Sequence, residues 1–185
     1  KQPVKHQLEL VFDDGSALTI TIAMYGMIYG FEAGTFQNPY YLIAKTNPSV
    51  YSSDFTLEYF KGIIAKAPPK LSLKALLATE QRIPGLGNGV LQDILLLAKL
   101  HPKTKIAQVS ETQWSTLYTT LVTTLTRMRD EGGRDTEKDL FGQPGGYRTL
   151  LCSRTLMEGC PQCGSELRKE AYMGGSIYTC NHCQK

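Results

Sequence analysis

The sequence lacks the features that mark several large functional classes. No apolar run approaches the roughly 20 residues that a membrane-spanning helix needs. No secretory signal opens the chain and there is no internal repeat, so we expect a cytoplasmic, non-solenoid protein with reduced cysteines. The net charge is also small, at +3. It tolerates a nucleic-acid partner without requiring one.

Cysteine is scarce, but it is concentrated near the end of the chain. Of the five cysteines, four form two CxxC pairs, Cys160 with Cys163 and Cys180 with Cys183, which are separated by sixteen residues. Tetrahedral Zn²⁺ takes four thiolates at about 2.3 Å, and each CxxC turn presents two of them. The segment between the pairs contains turn glycines and a β-prone stretch. We therefore predict one structural Zn²⁺ in a ribbon hairpin with its tip near Gly174.

Two disulfide bonds are the alternative use of the same four thiols. A disulfide framework suits a secreted protein and would leave Cys152 over, so zinc is the favoured interpretation. His182 lies between two of the cysteines and is interpreted as a surface residue, because four thiols already complete the ligand set. Cys152 follows an apolar residue and is interpreted as a small packing residue.

The first fifty residues predict strands. Residues 6–12 and 17–23 alternate apolar with polar side chains around a turn at Asp14–Gly15, which predicts a β-hairpin with one buried face. Met24–Glu32 is a third, glycine-interrupted strand in this interpretation. Three strands make a poor independent sheet, so the chain resembles one that begins partway through a β domain.

The rest of the chain, up to the cysteines, predicts helices. Helical stretches are expected at 55–65, 73–80, 89–100 and from 111 to a Gly-Gly pair at 132–133. Ser110 and Gln113 form a capping box at the start of the longest helix. One face of that helix is apolar: Trp114, Leu117, Tyr118, Leu121, Leu125 and Met128. We expect this face to pack on the other helices.

A Gly85–Asn88 turn joins the second and third predicted helices. Its small residues allow a close backbone approach, and Asn88 at an N-cap would leave helix amides facing outward, where they attract phosphate. The alternative is that Gly-x-Gly merely separates two helices. A Rossmann motif is excluded, because no strand precedes the turn and no third glycine follows in place.

Taken in order, these motifs resemble the formamidopyrimidine-DNA glycosylase and endonuclease VIII family. The strands around Asp14–Gly15, together with Met24–Gly26, resemble the end of its N-terminal β-sandwich. Residues 71–102 resemble its helix-two-turn-helix motif, and 159–185, which end in Cys-Gln-Lys, resemble its zinc finger. The resemblance implies an α+β protein with three domains. They are a partial β-sandwich at 1–50, a helix-two-turn-helix DNA-binding domain at 51–146 and a zinc finger at 147–185.

The resemblance also implies roles for individual residues. Asn88 would contact a DNA phosphate near the lesion, assisted by the amides after Gly87, and Lys74 would point into the lesion site. Zinc would hold the hairpin that enters the minor groove. The implied partner is double-stranded DNA with a damaged base or an abasic site, in the nucleoid, with neither a membrane nor a small-molecule cofactor. In such enzymes an N-terminal amine attacks C1′ of a flipped nucleotide, and a Schiff base then permits strand cleavage.

The start of the chain departs from the family pattern. The family's nucleophile is an N-terminal proline followed by glutamate, whereas this chain opens Lys1–Val4 with Pro3 internal. We therefore expect the C-terminal portion of a longer glycosylase. Whether the chain is itself an enzyme is left open, and we expect no lyase activity from it, although the parent protein would be a DNA glycosylase and AP lyase.

Two further departures lie at the implied DNA site. An arginine that grips phosphates stands five residues before the third cysteine in the family, and here that position is Gly175, followed by Ser176. Backbone amides of 174–176 could still receive a phosphate as an anion nest. Asp93 stands where the family usually has glutamate, and we expect this shorter carboxylate to act as a cap or hydrogen-bond acceptor.

Four arginines surround the loop before the ribbon: Arg127, Arg129, Arg134 and Arg148. We interpret Arg134 as a candidate phosphate contact. The alternative is a solvated face balanced by nearby acidic residues, since surface charges usually do nothing more specific. Tyr147 could line a lesion pocket or pack on the ribbon, and packing is favoured.

These inferences leave three functional hypotheses. The leading one is the DNA-binding portion of a base-excision-repair enzyme that removes oxidised bases. The alternative is a non-enzymatic zinc-containing nucleic-acid-binding module, because zinc ribbons and related helical motifs also occur in translation and transcription proteins. A zinc-stabilised protein-interaction domain is the third hypothesis.

Overall fold

A computed structural model of the chain describes residues 4–22 and 26–185. The fold mixes helices and strands, as the sequence predicts, and divides into two compact units, Lys1–Gln37 and Asn38–Lys185. Within the described residues, none of the helices combines the length and the apolar character that crossing a bilayer requires. The predicted three-domain boundaries stay predictions.

The first unit contains one antiparallel hairpin. Strand β1 (Leu8–Val11) pairs with β2 (Ala17–Ile20), with Leu8 opposite Ile20. The turn between them is stabilised by Asp14, whose carboxylate accepts hydrogen bonds from the amide and hydroxyl of Ser16 at 2.9 and 2.6 Å. These bonds lower the pKa of Asp14. The predicted hairpin and its turn are confirmed.

The predicted buried face of this hairpin is wrong. In the described part of the first unit no residue is fully buried, and Leu10 and Val11 are 43% and 71% exposed. Two strands alone cannot enclose an apolar layer, which is the physical reason. Of the predicted third strand, residues 26–32 form no strand, while Met24 and Tyr25 lie outside the described residues.

The second unit is built on five helices. Their bounds are α1 (Pro39–Thr46), α2 (Leu57–Lys66), α3 (Leu73–Ala78), α4 (Asn88–Leu97) and α5 (Glu111–Asp130). Side chains cap four of them at the amino end: Asn38, Thr56, Ser72 and Ser110. The sequence interpretation missed α1, although Asn38 followed by Pro39 is a recognisable start signal.

Helix α5 confirms its predicted start, face and end. Ser110 and Gln113 form the capping box, and Gly132 and Gly133 follow the helix with φ of 73° and 100°. Its predicted apolar face packs into the main core, against α2, α3 and α4. Helix α3 ends two residues before its predicted end, because Arg82 donates to the carbonyls of Ala75 and Thr79. The core is thus a bundle of helices.

A second hairpin follows the bundle. Strand β3 (Arg168–Tyr172) pairs with β4 (Gly175–Thr179), with Tyr172 opposite Gly175. The two residues at the tip, Met173 and Gly174, have φ of 51° and 71°, as a two-residue turn between twisted strands requires. The predicted tip near Gly174 is confirmed. Ile177 is fully buried, so this hairpin has the buried face that the first one lacks.

Candidate functional site

Four cysteines converge below the second hairpin. The sulfurs of Cys160, Cys163, Cys180 and Cys183 all lie within 4.8 Å of one another. The separations are 3.9 Å for Cys160–Cys183 and 3.6 Å for Cys163–Cys180. A tetrahedron with Zn–S bonds of about 2.3 Å has edges of about 3.8 Å, whereas a disulfide bond is about 2.05 Å long. The four sulfurs therefore fit a metal ion and not two disulfides.

The backbone of both CxxC turns repeats one pattern. The amide of Gly164 donates to the carbonyl of Cys160 at 2.8 Å, and the amide of Gln184 donates to that of Cys180 at 2.9 Å. Hydrogen bonds from Ser165 lower the pKa of the Cys163 thiol to about 6. The nearby Cys163 sulfur raises the pKa of Cys183 to about 12. A cation at the centre would favour the thiolate form of all four.

Gln184 anchors the second CxxC turn to the helical bundle. Its side chain accepts from the amide of Cys180 at 2.9 Å and donates to the carbonyl of Leu100 at 2.9 Å. Gln184 is 3% exposed, so both bonds are shielded from water. Leu96 of α4 packs in the same buried cluster as two of the cysteines. His182 is exposed, in agreement with its interpretation as a surface residue.

The second hairpin docks on the amino ends of α3 and α4. Lys74 donates a hydrogen bond to the carbonyl of Tyr172, and Asn88 Nδ2 donates to the carbonyl of Ser176 at 3.0 Å. Gln92 makes two bonds to β4: its Oε1 accepts from Tyr178 N at 2.6 Å, and its Nε2 donates to Ser176 O at 3.4 Å. Sequence reasoning missed Gln92, whose only signal is that it is one of the few polar residues on a mainly apolar helix.

Asn88 is the first residue of α4 and not its N-cap, which corrects the prediction. The N-cap is Gly87, with extended φ and ψ of −97° and 170° and no side chain to cap the helix. Asn88 turns toward the hairpin, where Ser176 accepts its amide hydrogen. Its other side-chain atom, Oδ1, is buried without a hydrogen-bond partner. Such an acceptor costs about 1–3 kcal/mol unless a ligand or water supplies a donor.

Gly175 brings the hairpin backbone close to both predicted DNA-contacting side chains. A Cβ at this position would lie 3.3 Å from Asn88 Nδ2 and 3.7 Å from Lys74 Nζ. The structure therefore brings Lys74, Gly87, Asn88, Gly175 and Ser176 together at one place, although they lie on two sequence segments far apart.

Lys74 is an unusual cation in this cluster. It is 3% exposed, and desolvation lowers the pKa of its amino group. The ring of Tyr172 lies 5.7 Å from its Nζ, and Lys103 Nζ lies 5.3 Å from the same ring. Burial disfavours an isolated charge, so an anion bound beside Lys74 and the charged amino group would stabilise each other.

Arg134 lies at the amino end of α4. A Cβ built on Gly89 would come within 2.7 Å of Arg134 Nη1 and 2.8 Å of Nη2. The guanidinium also pairs with Glu137, with Nη2 to Oε1 at 2.6 Å. The side chain of Arg134 is only 12% exposed.

The other three arginines of this region are more open. The exposed fractions of the Arg127, Arg129 and Arg148 side chains are 65%, 50% and 77%, and each pairs with an acidic neighbour. The solvated-face interpretation therefore suits these three and does not suit Arg134.

A buried carboxylate fixes α4 to the segment that leads into the ribbon. Asp93 is fully buried and accepts hydrogen bonds from the amides of Leu150 and Leu151 at 2.9 and 2.8 Å. Burial raises the pKa of Asp93, while these bonds and Arg134 act in the opposite direction. Burial and the Asp93 charge raise the pKa of the hydrogen-bonded Tyr147 hydroxyl. Tyr147 is 1% exposed and packs in the main helical core, so it is a packing residue as predicted, but not one that packs on the ribbon.

The arrangement is suited to binding an anion. Two largely buried cations, the open amino end of α4 and a hairpin tip lie beside one another, and four cysteine sulfurs fit a metal ion behind them. Cys152 stands apart, with its amide donating to Thr155 Oγ1 at 3.0 Å.

Similar proteins have been characterised. No protein-family model matches the chain. The formamidopyrimidine-DNA glycosylase of Lactobacillus johnsonii is 30% identical over 97% of this chain and 66% of that protein. The protein of the same name from Prochlorococcus marinus is 28% identical over 100% of this chain and 64% of its own length. The chain thus spans just under two thirds of these relatives.

Solved structures agree in fold. The crystal structure of the MutM (Fpg) protein of Thermus thermophilus matches with a TM-score of 0.83 and 24% identity, covering 100% of this chain and 70% of that one. The Lactococcus lactis Fpg in complex with DNA that contains an abasic site matches with a TM-score of 0.68 and 26% identity, over 80% and 54% of the two chains. With the cysteine cluster and the shared fold, these similarities assign the chain to the formamidopyrimidine-DNA glycosylase family.

Proposed function

We propose that this chain binds duplex DNA at a damaged or abasic site, through the surface formed by the amino ends of α3 and α4 and the tip of the second hairpin. The main observation behind the proposal is that Asn88 Nδ2 and Lys74 Nζ lie 3.3 and 3.7 Å from the place where a Cβ on Gly175 would stand. Residues 51–146 would be the helix-two-turn-helix domain of this assembly, and 147–185 its zinc finger. The partial β-sandwich would be residues 1–50.

The anion that this surface would receive is a DNA phosphate. Asn88, the amides after Gly87 and the tip amides of Gly175 and Ser176 supply donors, and Lys74 supplies positive charge. The unpartnered Oδ1 of Asn88 is an acceptor for an ordered water or a ligand donor. The Lactococcus lactis relative forms a complex with DNA that contains an abasic site, which supports this class of partner.

The metal would be Zn²⁺. Four sulfurs within 4.8 Å of one another suit this ion, which has no redox chemistry and closes structural sites with four ligands. Cys160, Cys163, Cys180 and Cys183 would hold it. Its contribution is to stabilise the hairpin, and no small-molecule cofactor takes part.

The whole protein, in this proposal, is a base-excision DNA glycosylase and AP lyase acting on oxidised bases. The names of the curated relatives support the activity class. The chain contributes recognition of the phosphate backbone beside an extruded nucleotide.

Fluorescence anisotropy with the zinc-loaded chain tests the proposal. The probe is a duplex with a central tetrahydrofuran residue, compared with an undamaged duplex at two salt concentrations. We expect tighter binding to the tetrahydrofuran duplex and a steep loss of affinity with salt, because phosphate contacts release counterions. Asn88→Ala should weaken binding by roughly tenfold, as loss of a hydrogen bond to a charged group implies.

Asn47→Ala is the matched control, because Asn47 is at the C-terminal end of α1. Zinc content measured by mass spectrometry separates lost DNA contacts from a disordered hairpin in each variant. Equal, weak binding of both duplexes that Asn88→Ala leaves unchanged would contradict the proposal and favour a zinc-containing module with another partner.

A further inference from the structure

We propose that Arg134 is a phosphate-binding residue of the DNA surface and that Glu137 is its built-in competitor. The inference rests on the proposed function and extends it to a side chain from a third segment of the chain. In the free protein the carboxylate of Glu137 holds the guanidinium, and a DNA phosphate takes that place in the complex.

The first observation behind the proposal is the position of Arg134. Its Nη atoms lie within 3 Å of where a Cβ on Gly89 would stand, so the guanidinium is pressed against the first turn of α4. Gly89 directly follows Asn88. A phosphate received by Asn88 and the first amides of α4 would therefore come within reach of this guanidinium, which can bind two oxygens at once.

The second observation is the burial of Arg134. Packing has already restricted this side chain, whose exposed fraction is 12%, so binding a phosphate costs little further side-chain entropy. Arg127 is the contrasting case, since it makes a similar 2.6 Å pair with Glu131 at 65% exposure. A fixed guanidinium next to a helix end is organised for an anion before the anion arrives.

The third observation is the ion pair between Arg134 and Glu137. The Glu137 side chain is 62% exposed, while its partner is largely buried. An exposed carboxylate is free to swing into solvent when the two oxygens of a DNA phosphate compete for the same donors. Both Nε and Nη2 of Arg134 reach Glu137, at 3.4 and 2.6 Å, in the side-on arrangement that a phosphate would adopt.

Gly89 provides a way to move Arg134 without changing any charge. Gly89→Ala places a methyl group where the guanidinium lies, and the end of a flexible side chain can move away, so the fold is retained. The matched control is Gly62→Ala within α2, where an added Cβ meets nothing within 4 Å. Both changes replace a helical glycine with alanine.

Four variants, one of them the Gly62→Ala control, are measured for binding to the tetrahydrofuran duplex. Gly89→Ala should weaken binding by roughly tenfold while Gly62→Ala leaves it unchanged. Arg134→Gln should weaken binding and reduce the slope of log K against log salt by about one unit, because one phosphate contact is lost. Glu137→Gln should strengthen binding several-fold, because the competitor is removed.

Glu131→Gln is the control for the last variant, since it changes net charge equally and releases Arg127 from a similar pair. Equal gains for Glu131→Gln and Glu137→Gln would overturn the competition. Unchanged affinity in Gly89→Ala and an unchanged salt slope in Arg134→Gln would overturn the role of Arg134. If these results occur while Asn88→Ala still weakens lesion binding, the proposed function stands without this inference. If the unsubstituted chain itself fails to distinguish the duplexes, the proposed function fails.

Discussion

The described residues form two antiparallel hairpins of similar length that are stabilised in different ways. In the first, β1–β2, every described residue keeps some exposure, and Val11 and Phe12 are 71% and 52% exposed. In the second, β3–β4, Ile177 and Thr179 are 0% and 1% exposed. Two strands pair in the same antiparallel way in both hairpins. The hairpins differ in how far neighbouring residues bury the strands and bond to them.

That support has two sources in the second hairpin. Gln92 of α4 hydrogen-bonds β4, and Cys180 follows β4 directly into the cysteine cluster. The described bonds of the first hairpin are local, such as those of its own turn and the bond in which the Gln7 side chain accepts from the amide of Ile22 at 2.7 Å. The comparison indicates that the cysteine cluster and a helix together supply the support that a two-stranded sheet lacks.

Removing the metal ligands should have the largest effect on this comparison. Structural Zn²⁺ contributes about 10–16 kcal/mol of apparent binding free energy in small zinc-finger peptides, so we expect Cys180→Ala to unfold the second hairpin. Hydrogen exchange at the amides of β4 should become fast, while exchange in α5 and in β1–β2 stays as it was. Cys152→Ala is the control with an intact cluster. Slow exchange in β4 of the metal-free variant would show that helix contacts alone maintain this hairpin.

Truncating one apolar side chain in each hairpin should have the next largest effect. Ile177→Ala empties a fully buried position and should cost about 2–5 kcal/mol of unfolding free energy. Leu10→Ala, at a position that is 43% exposed, should cost less than about 1 kcal/mol. Native-state hydrogen exchange reports the local unfolding free energy of each hairpin. Similar costs for the two substitutions would contradict the difference in burial.

The smallest expected effect comes from a matched pair of glutamines. Gln92→Ala removes the acceptor for Tyr178 N and leaves that amide without its partner, which should cost about 1–3 kcal/mol. Gln7→Ala removes the acceptor for Ile22 N at an exposed position, where water replaces it, so the change should stay within about 0.5 kcal/mol. Native-state hydrogen exchange of both variants again measures the local unfolding free energy of each hairpin. A larger cost at Gln7 would mean that the first hairpin depends on side-chain bonds more than its exposure indicates.

Local signals in the sequence were sufficient for many elements. The capping box at Ser110, the turn at Gly174 and the cysteine spacing each depend on residues near one another in the chain, and each is confirmed. Lys74 is placed at the candidate surface only through resemblance to a family, whereas the Gly85–Asn88 turn by itself already marks Asn88 as a candidate phosphate site.

Contacts between distant residues could not be read from the sequence. Asn88 leaves the N-cap because Ser176, far along the chain, accepts its amide hydrogen. Consecutive left-handed residues after α3, Glu80 and Gln81 with φ of 56° and 49°, carry no glycine signal. Arg134 occupies the space that a side chain at position 89 would fill. This contact between α4 and the loop before the ribbon is known only from the three-dimensional structure.

The carbonyls of Tyr172 and Ser176 accept hydrogen bonds from Lys74 and Asn88, so the cysteine cluster and the proposed DNA-binding surface are joined by one hairpin. Under the proposed function, thermodynamic linkage makes the two binding events reciprocal: whatever factor the ion adds to the affinity for DNA, DNA adds to the affinity for the ion. At equilibrium, a chelator should therefore remove less metal from the DNA-bound protein than from the free protein, and metal occupancy in a cell would follow the fraction of the protein that is bound to DNA.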